Sequence, residues 1–494
     1  MIIKEDVKKM QLGFDNKKYV KIQSKKIKER FKLFDKLYLE VGGKLFDDSH
    51  AARILPGFKN DVKISMFQEL KDDLEIIFCI NAGDIEKNKT RGEYGITYDN
   101  EVLQLINKSK KMGFSVNSVV VTLYKNQVSV DKFIKKLNRN GIKTYIHTFT
   151  KGYPIDVDTI VSEEGYGANP YVETTKPLIL VNAPGPGSGK LATCLSQIYH
   201  ENKRGVNAGY AKFETFPVWN LPLKHPVNLA YEAATADLKD VNMIDPFHLE
   251  KYGTIAVNYN RDVETFPILK NILSKVSKKD IYYSPTDMGV NMVGFCITNN
   301  EVVEEASKKE IVRRYYNEQN NYKMGLCDED TYKKIKLLMN ELKIDENYLD
   351  VIKPALKKKE KEHLPVIAIE VGKKIITGKQ TDLMTPAGTA VLNALKHVSK
   401  IPDIYLLSPT VLEPILHLKK EMGNEERLTL PEVLTALSIC SVTNPIAAKA
   451  LSSLSKLKGA EAHATYIVTG NDRRALKDLK INLTCENEFL EEEL

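Results

Sequence analysis

The stretch LILVNAPGPGSGKLATCLSQ, residues 178–197, decides how the chain is read. Its first four residues are apolar and have the length of a buried strand. Glycines follow at 185, 187 and 189, then Lys190, then a segment with helical spacing. A strand that enters a glycine-rich turn and opens a helix is the setting in which backbone N–H groups cradle phosphate. The glycines allow close approach, the helix start adds the positive end of its dipole, and the lysine reaches terminal phosphates. On this reading Gly185, Gly187, Ser188, Gly189 and Lys190 hold phosphate. Thr193 is a further candidate for metal or substrate.

The turn departs from the pattern G-x-x-x-x-G-K-[ST]. Pro184 stands where the first glycine belongs, and Leu191 where the magnesium-binding hydroxyl belongs. Pro184 and Pro186 also remove two N–H donors from the loop. Two readings stay open: an atypical nucleotide or phosphate site, and a structural turn whose lysine faces solvent.

Outward from this turn, apolar and amphipathic segments alternate. Residues 74–80 (LEIIFCI), 116–124 (VNSVVVTLY) and 142–149 (IKTYIHTF) read as strands. Residues 100–113 and 130–141 read as helices, each ending at a glycine. Upstream, Ile27, Phe31, Phe34, Tyr38 and Val41 recur at three- and four-residue steps, which predicts one helix over 24–41. The alternation predicts an α/β fold with a mostly parallel, Rossmann-like or P-loop-like sheet, its ligands at the carboxyl ends of the strands. Four segments are expected: an α/β domain at 1–208, an α+β section at 209–300 or an elaboration on the first sheet, a helical domain at 301–360, and a C-terminal α/β domain at 361–494. In the last, 366–379 reads as a hairpin, 387–397 as a helix, 404–408 and 463–468 as strands. Thr429 with Glu432 forms a capping box, and Asn444-Pro445 starts another helix.

Composition narrows the function classes. At 494 residues the chain needs several cores. The net charge of +7 comes from lysines interleaved with acids, which reads as solvated surface and predicts no nucleic-acid partner. Its apolar runs are strand-length, so no membrane span is expected, and the start MIIKEDVKKMQLGF carries no secretory signal. Six scattered cysteines argue against a zinc ribbon or a disulfide scaffold. A cytoplasmic protein is expected, with no zinc.

Polar groups also gather in the second section. Asp245 ends a short apolar run, as a magnesium-positioning acid would, and also reads as an ordinary strand-end aspartate. His225, before a proline, is a candidate acid/base residue; Lys212, Glu214 and Trp219 lie in the same stretch. The phrases GYGANPY (165–171), GPGSGKLATCLSQ (185–197), AKFETFPVWNLPLKHPVN (211–228), EAATADL (232–238), VNMIDPFH (241–248), VNYNRDVE (257–264) and SPTDMGVN (284–291) resemble a family of long bacterial proteins described as a domain of unknown function. The resemblance spans nearly the whole chain and implies a multidomain α/β fold with a helical insert and a separate C-terminal unit. Some members carry the label of ATP-dependent peptidase, yet no H-E-x-x-H string occurs here. The order of elements in the C-terminal unit resembles the cytidine-deaminase-type fold, without its zinc-binding cysteines or its glutamate. Thr385, Thr389 and Ser408 would line such a pocket, or serve only as helix caps.

Lys190, Asp245 and His225 are therefore the catalytic candidates. The expected ligand is a small phosphorylated or polar metabolite, with ATP or another nucleotide as cofactor and Mg2+ as its companion ion. A nucleotide-dependent transferase or ligase is one expectation; a non-catalytic binding or regulatory homo-oligomer is the other.

Overall fold

A strand that is apolar on both faces must be covered on both faces, and a parallel sheet between helices meets that condition. The computed structural model describes residues 12–91, 95–214, 216–423 and 427–490. Its first sheet holds seven parallel strands: β1 (Lys36–Val41), β2 (Leu74–Asn81), β3 (Ser115–Thr122), β4 (Lys143–His147), β5 (Leu178–Asn182), β6 (Ala208–Phe213) and β7 (Gly289–Val290). Their spatial order is β7-β6-β1-β5-β2-β3-β4. The chain moves outward from β2 to β4, then returns to insert β5 between β1 and β2. Growth then continues on the other side through β6 and β7. That reversal is a topological switch point, and the glycine turn leaves the sheet there.

The helices that matter for the site are α1 (Asn16–Phe31), α2 (Tyr98–Lys111), α3 (Val128–Arg139), α4 (Lys190–Lys203) and α5 (Asn260–Ser277). Two buried side chains lock α4 onto the sheet. Glu201 accepts hydrogen bonds from Lys36, Tyr38 and Tyr171 at 2.8, 2.8 and 2.9 Å. Gln197 donates to Tyr38 and to the carbonyl of Val172, whose N–H it accepts in return.

Two expectations give way. The 24–41 segment is not one helix: α1 ends at Phe31, and residues 36–41 form β1. Pairing with β5 on one side and β6 on the other outweighs the helical spacing, since five of the six β1 residues are buried. Residues 404–408 form no strand. Ile404 and Tyr405 face solvent while Leu406 and Leu407 are buried, so the segment lacks the alternation of a strand. The 209–300 section proves to be an elaboration of the first sheet, contributing β7 after a short antiparallel ribbon, Asn242–Ile244 with Val257–Tyr259.

The chain divides into two compact units: Leu12–Glu232 with Asp240–Ser307, and Ala233–Lys239 with the chain from Lys308 onward. Helices α6 (Asn300–Lys323), α7 (Glu329–Glu341) and α8 (Ile352–Glu362) occupy the region read as helical. The second unit holds a mixed sheet in the order β9-β8-β10-β11. A hairpin of β8 (Val366–Val371) and β9 (Lys374–Lys379) is extended by antiparallel β10 (Glu461–Ala464) and parallel β11 (Asn482–Cys485). Helices α9 (Pro386–Val398), α10 (Pro409–Glu421), α11 (Leu430–Cys440) and α12 (Pro445–Leu451) follow the hairpin. Both caps read from the sequence form: the Thr429–Glu432 box and the Asn444 cap before Pro445. Thr385 caps α9, and the Thr389 hydroxyl donates back to the Thr385 carbonyl.

One ion pair anchors α6 within the second unit. The Arg313 guanidinium grips Glu461 with two hydrogen bonds, of 2.9 and 2.6 Å, and reaches Glu310 at 2.7 Å. Both carboxylates lie largely out of solvent, so removing the cation takes away their shared counter-charge, although Arg314 still reaches Glu310 at 3.4 Å and Asn482 still donates to Glu461 at 3.2 Å. Arg313→Ala is expected to destabilise the protein by about 3–5 kcal/mol. Arg313→Lys keeps the charge, loses the planar fork, and should recover only part of that. Denaturant unfolding of the three proteins checks both expectations.

Candidate functional site

The glycine turn has a geometry that sterics impose. Gly187 and Gly189 both lie in the left-handed region, at φ 72° and 81°. Ser188 between them does not. Gly189 sits so close to the end of β3 that a β-carbon would fall 2.7 Å from the Thr122 side chain. A β-carbon on Gly185 would collide with the Tyr98 ring and hydroxyl. Gly187 has open space around it.

Strand-end side chains hold the loop. Thr122 donates to the Ser188 carbonyl at 3.0 Å, and Asn81 at the end of β2 donates to the Gly187 carbonyl at 3.2 Å. The Ser188 hydroxyl turns inward and donates to the Gly185 carbonyl at 2.9 Å. With the carbonyls drawn down onto the sheet, the N–H groups are left over. Among the described residues, those of Gly187, Gly189, Lys190 and Leu191 find no acceptor, and no side chain caps α4. Gly187 is exposed and residues 189–191 are partly exposed, so these donors lie within reach of solvent.

Lys190 is half-buried, and among the described residues its amine makes neither a hydrogen bond nor an ion pair. Its charge is felt below the turn. Burial pushes the Cys79 thiol up to about 12, while a Thr193 hydrogen bond and the Lys190 ammonium oppose the rise. Burial likewise drives Cys194 well above its ordinary range. Neither thiol is suited to act as a nucleophile at neutral pH.

A polar row adjoins the turn on the neighbouring strands. Glu40 of β1 pairs in register with Val181 of β5 on one side and Lys212 of β6 on the other. Its carboxylate accepts from the Tyr210 hydroxyl at 2.7 Å. Lys212 meets both oxygens of Asp262, at 3.0 and 2.9 Å. Burial alone would lower the Lys212 ammonium; Asp262 and Glu40 together hold it above its ordinary range. Farther along the same edge Lys63, 1% exposed, bridges Asp48 at 2.7 Å and Glu214. Glu214 also accepts from the Tyr19 hydroxyl. Burial would lower Lys63 too, and its two carboxylates raise it on balance. Glu214 itself is raised, burial outweighing the pull of Lys63.

A model of the domain of unknown function DUF1846, N-terminal, matches residues 12–343, and one of its C-terminal domain matches 347–494. The chain belongs to the DUF1846 family. It is 54% identical over 498 residues to a UPF0371 protein of Clostridium botulinum (strain Eklund 17B / Type B), covering 98% of this chain and 99% of that one. A UPF0371 protein of Clostridium tetani (strain Massachusetts / E88) shows the same identity and coverage.

The residues expected to work together do not all gather at the turn. Thr193 is fully buried and its hydroxyl receives the Cys79 thiol at 3.4 Å. Asp245 is fully buried; one oxygen caps the helix Pro246–Tyr252 through His248 N–H, and the other accepts from Asn258 and twice from Thr286. His225 accepts the Val227 N–H on Nδ1, so its proton sits on Nε2, which meets Asn300 at 2.9 Å. Trp219 donates to the Asn291 carbonyl and packs on Phe295. The sequence reading missed Asn81, Thr122, Tyr98 and Glu40. For Asn81 and Thr122 a signal existed: each is the polar residue that closes a run of buried strand residues.

These contacts order the glycines. Gly187→Ala should cost the left-handed penalty alone, about 1–2 kcal/mol. Gly189→Ala adds a collision with Thr122 and should cost more. Thr122→Gly, which also removes the Thr122 β-carbon at 2.8 Å, should relieve that added part in the double variant, read as a positive coupling in a double-mutant cycle of unfolding free energies.

Proposed function

We propose that the protein binds the phosphate group of a small polar metabolite, or of a nucleotide, at the mouth of α4. One observation carries the reading: among the described residues, a run of partly exposed N–H groups without internal acceptors, beside a lysine amine without an internal partner. Unpaired backbone donors in folded proteins call for a partner, and an anion is the partner that a helix start and a cation favour together. In this reading Gly187, Gly189, Lys190 and Leu191 donate from the backbone, and the Lys190 amine supplies the counter-charge. Gly185 and Ser188 shape the loop without touching the ligand.

The turn acts as a P-loop only in part. Leu191 stands in the hydroxyl position and the Thr193 hydroxyl is spent on Cys79, which favours binding without a magnesium ion held by the loop. Asp245 and His225 carry no part of the reading, because their polar atoms are engaged within the fold. The likeness of the C-terminal unit to a deaminase-type fold carries none either.

A second reading, a transferase or ligase working on the bound phosphate compound, is favoured by the charged group of Glu40 on β1, Lys212 on β6 and Asp262 on α5. Oriented charges beside an anion site are what transfer chemistry uses to stabilise developing charge.

A thermal-shift panel separates the two. Ligands that bind the folded state raise stability by mass action, about 2.7 kcal/mol at a hundredfold excess over Kd. Pyrophosphate, sugar phosphates, ADP and ATP are tested with and without magnesium. Stabilisation by phosphate esters regardless of metal supports binding; a requirement for triphosphate with magnesium supports transfer. Lys190→Ala should abolish most of the ligand-induced shift while leaving the ligand-free melting temperature nearly unchanged. A large loss of stability without ligand would make Lys190 a structural residue and end the proposal.

A further inference from the structure

Charged residues make up 28% of the chain, yet residues 404–412 and 433–448 contain none. The fold brings these two segments together. The Ser408 N–H donates to the Cys440 sulfur at 3.3 Å, α10 packs along α11, and α11 packs on α12. Their inward residues, among them Leu407, Leu412, Val433 and Leu437, belong to the core of the second unit. Their outward residues are the unusual part. Tyr405 is 97% exposed and Val442 83% exposed, and Ile404, Ile439 and Ile446 of the same segments are exposed as well. The exposed residues between, Ser438 and Thr443, carry hydroxyls rather than charges.

We infer that this face is where a second copy of the chain docks, about a twofold axis. The area fits one such interface. The five apolar residues together expose roughly three whole side chains, on the order of 500 Å2 at about 150–200 Å2 each. A standard interface buries about 800 Å2 per partner, and about 57% of that is non-polar, which is close to the same figure. The absence of charge fits a copy of itself. In an isologous contact each residue meets the same patch, so any net charge would face its like. Within the two segments there is no charge to repel a copy or to desolvate; Asp403, paired with Lys396, and the exposed Lys449 stand at their edges. A lipid headgroup surface or a nucleic acid would instead be met by lysines or arginines, and neither segment has any.

Sedimentation velocity of the full chain over a wide concentration range tests the inference. The unaltered protein should be a dimer. Val442→Glu and, independently, Tyr405→Glu should each weaken association about thirtyfold or more, the range of an interface hot spot. Both positions are exposed, so circular dichroism should report an unchanged fold. Ile155→Glu, at an 88% exposed apolar site in the other unit, serves as control and should leave the dimer intact. A protein monomeric at every concentration overturns the inference, as does a dimer that survives both substitutions or that the control weakens equally.

Discussion

The contact between Gly189 and Thr122 leaves no room for a β-carbon, and the arrangement of the first unit turns on it. Parallel strands place their carboxyl ends side by side, so a helix that begins directly after a central strand must start against its neighbours' last residues. Here α4 reaches past neighbouring β2 to the end of β3, and starts against it closely enough that only glycine fits. The same closeness lets Thr122 and Asn81 draw down the loop carbonyls, which turns the N–H groups the other way. Glu201 and Gln197 hold the rest of α4 flat on the sheet, so its start cannot lift away. The shape of the turn is thus a consequence of packing.

How the fold spends its polar groups separates the candidate site from its surroundings. Asp245, His225, Thr193, Glu214 and the Ser188 hydroxyl all looked chemically capable, and each meets partners inside the chain. Burying such groups without partners would be costly, so the fold uses them as ties. The amides from Gly187 to Leu191 and the Lys190 amine differ in having no such engagement among the described residues. They also sit where the strand order reverses. Lys63 shows the contrast well: a lysine more deeply buried than Lys190, its charge shared between Asp48 and Glu214.

The second unit follows a different logic. Its hairpin-led sheet is tied to α6 by the Arg313 grip, and its helices cover one hydrophobic core. Beyond the first turn of α11, which holds Glu432, residues 433–448 carry no charge. Family membership extends across both units, since the two domain models together take in residues 12–343 and 347–494. The relative of 54% identity is matched over 99% of its length.

The α/β class, the strands β2, β3 and β5, the hairpin of β8 and β9, and both helix caps were legible in the sequence. Each depends on residues close together in the chain: an apolar run, a turn glycine, a cap three residues from its partner. The glycine turn was legible for the same reason. Other features were not. Residues 36–41 have spacing compatible with a helix, and only their two strand neighbours, far away in sequence, make them β1. Asp245 and His225 were chemically plausible until Asn258, Thr286 and Asn300 closed around them. Local spacing determines which backbone shape a segment prefers. Whether a polar group is consumed or left over depends on distant residues meeting in space, and that was decided by the tertiary structure.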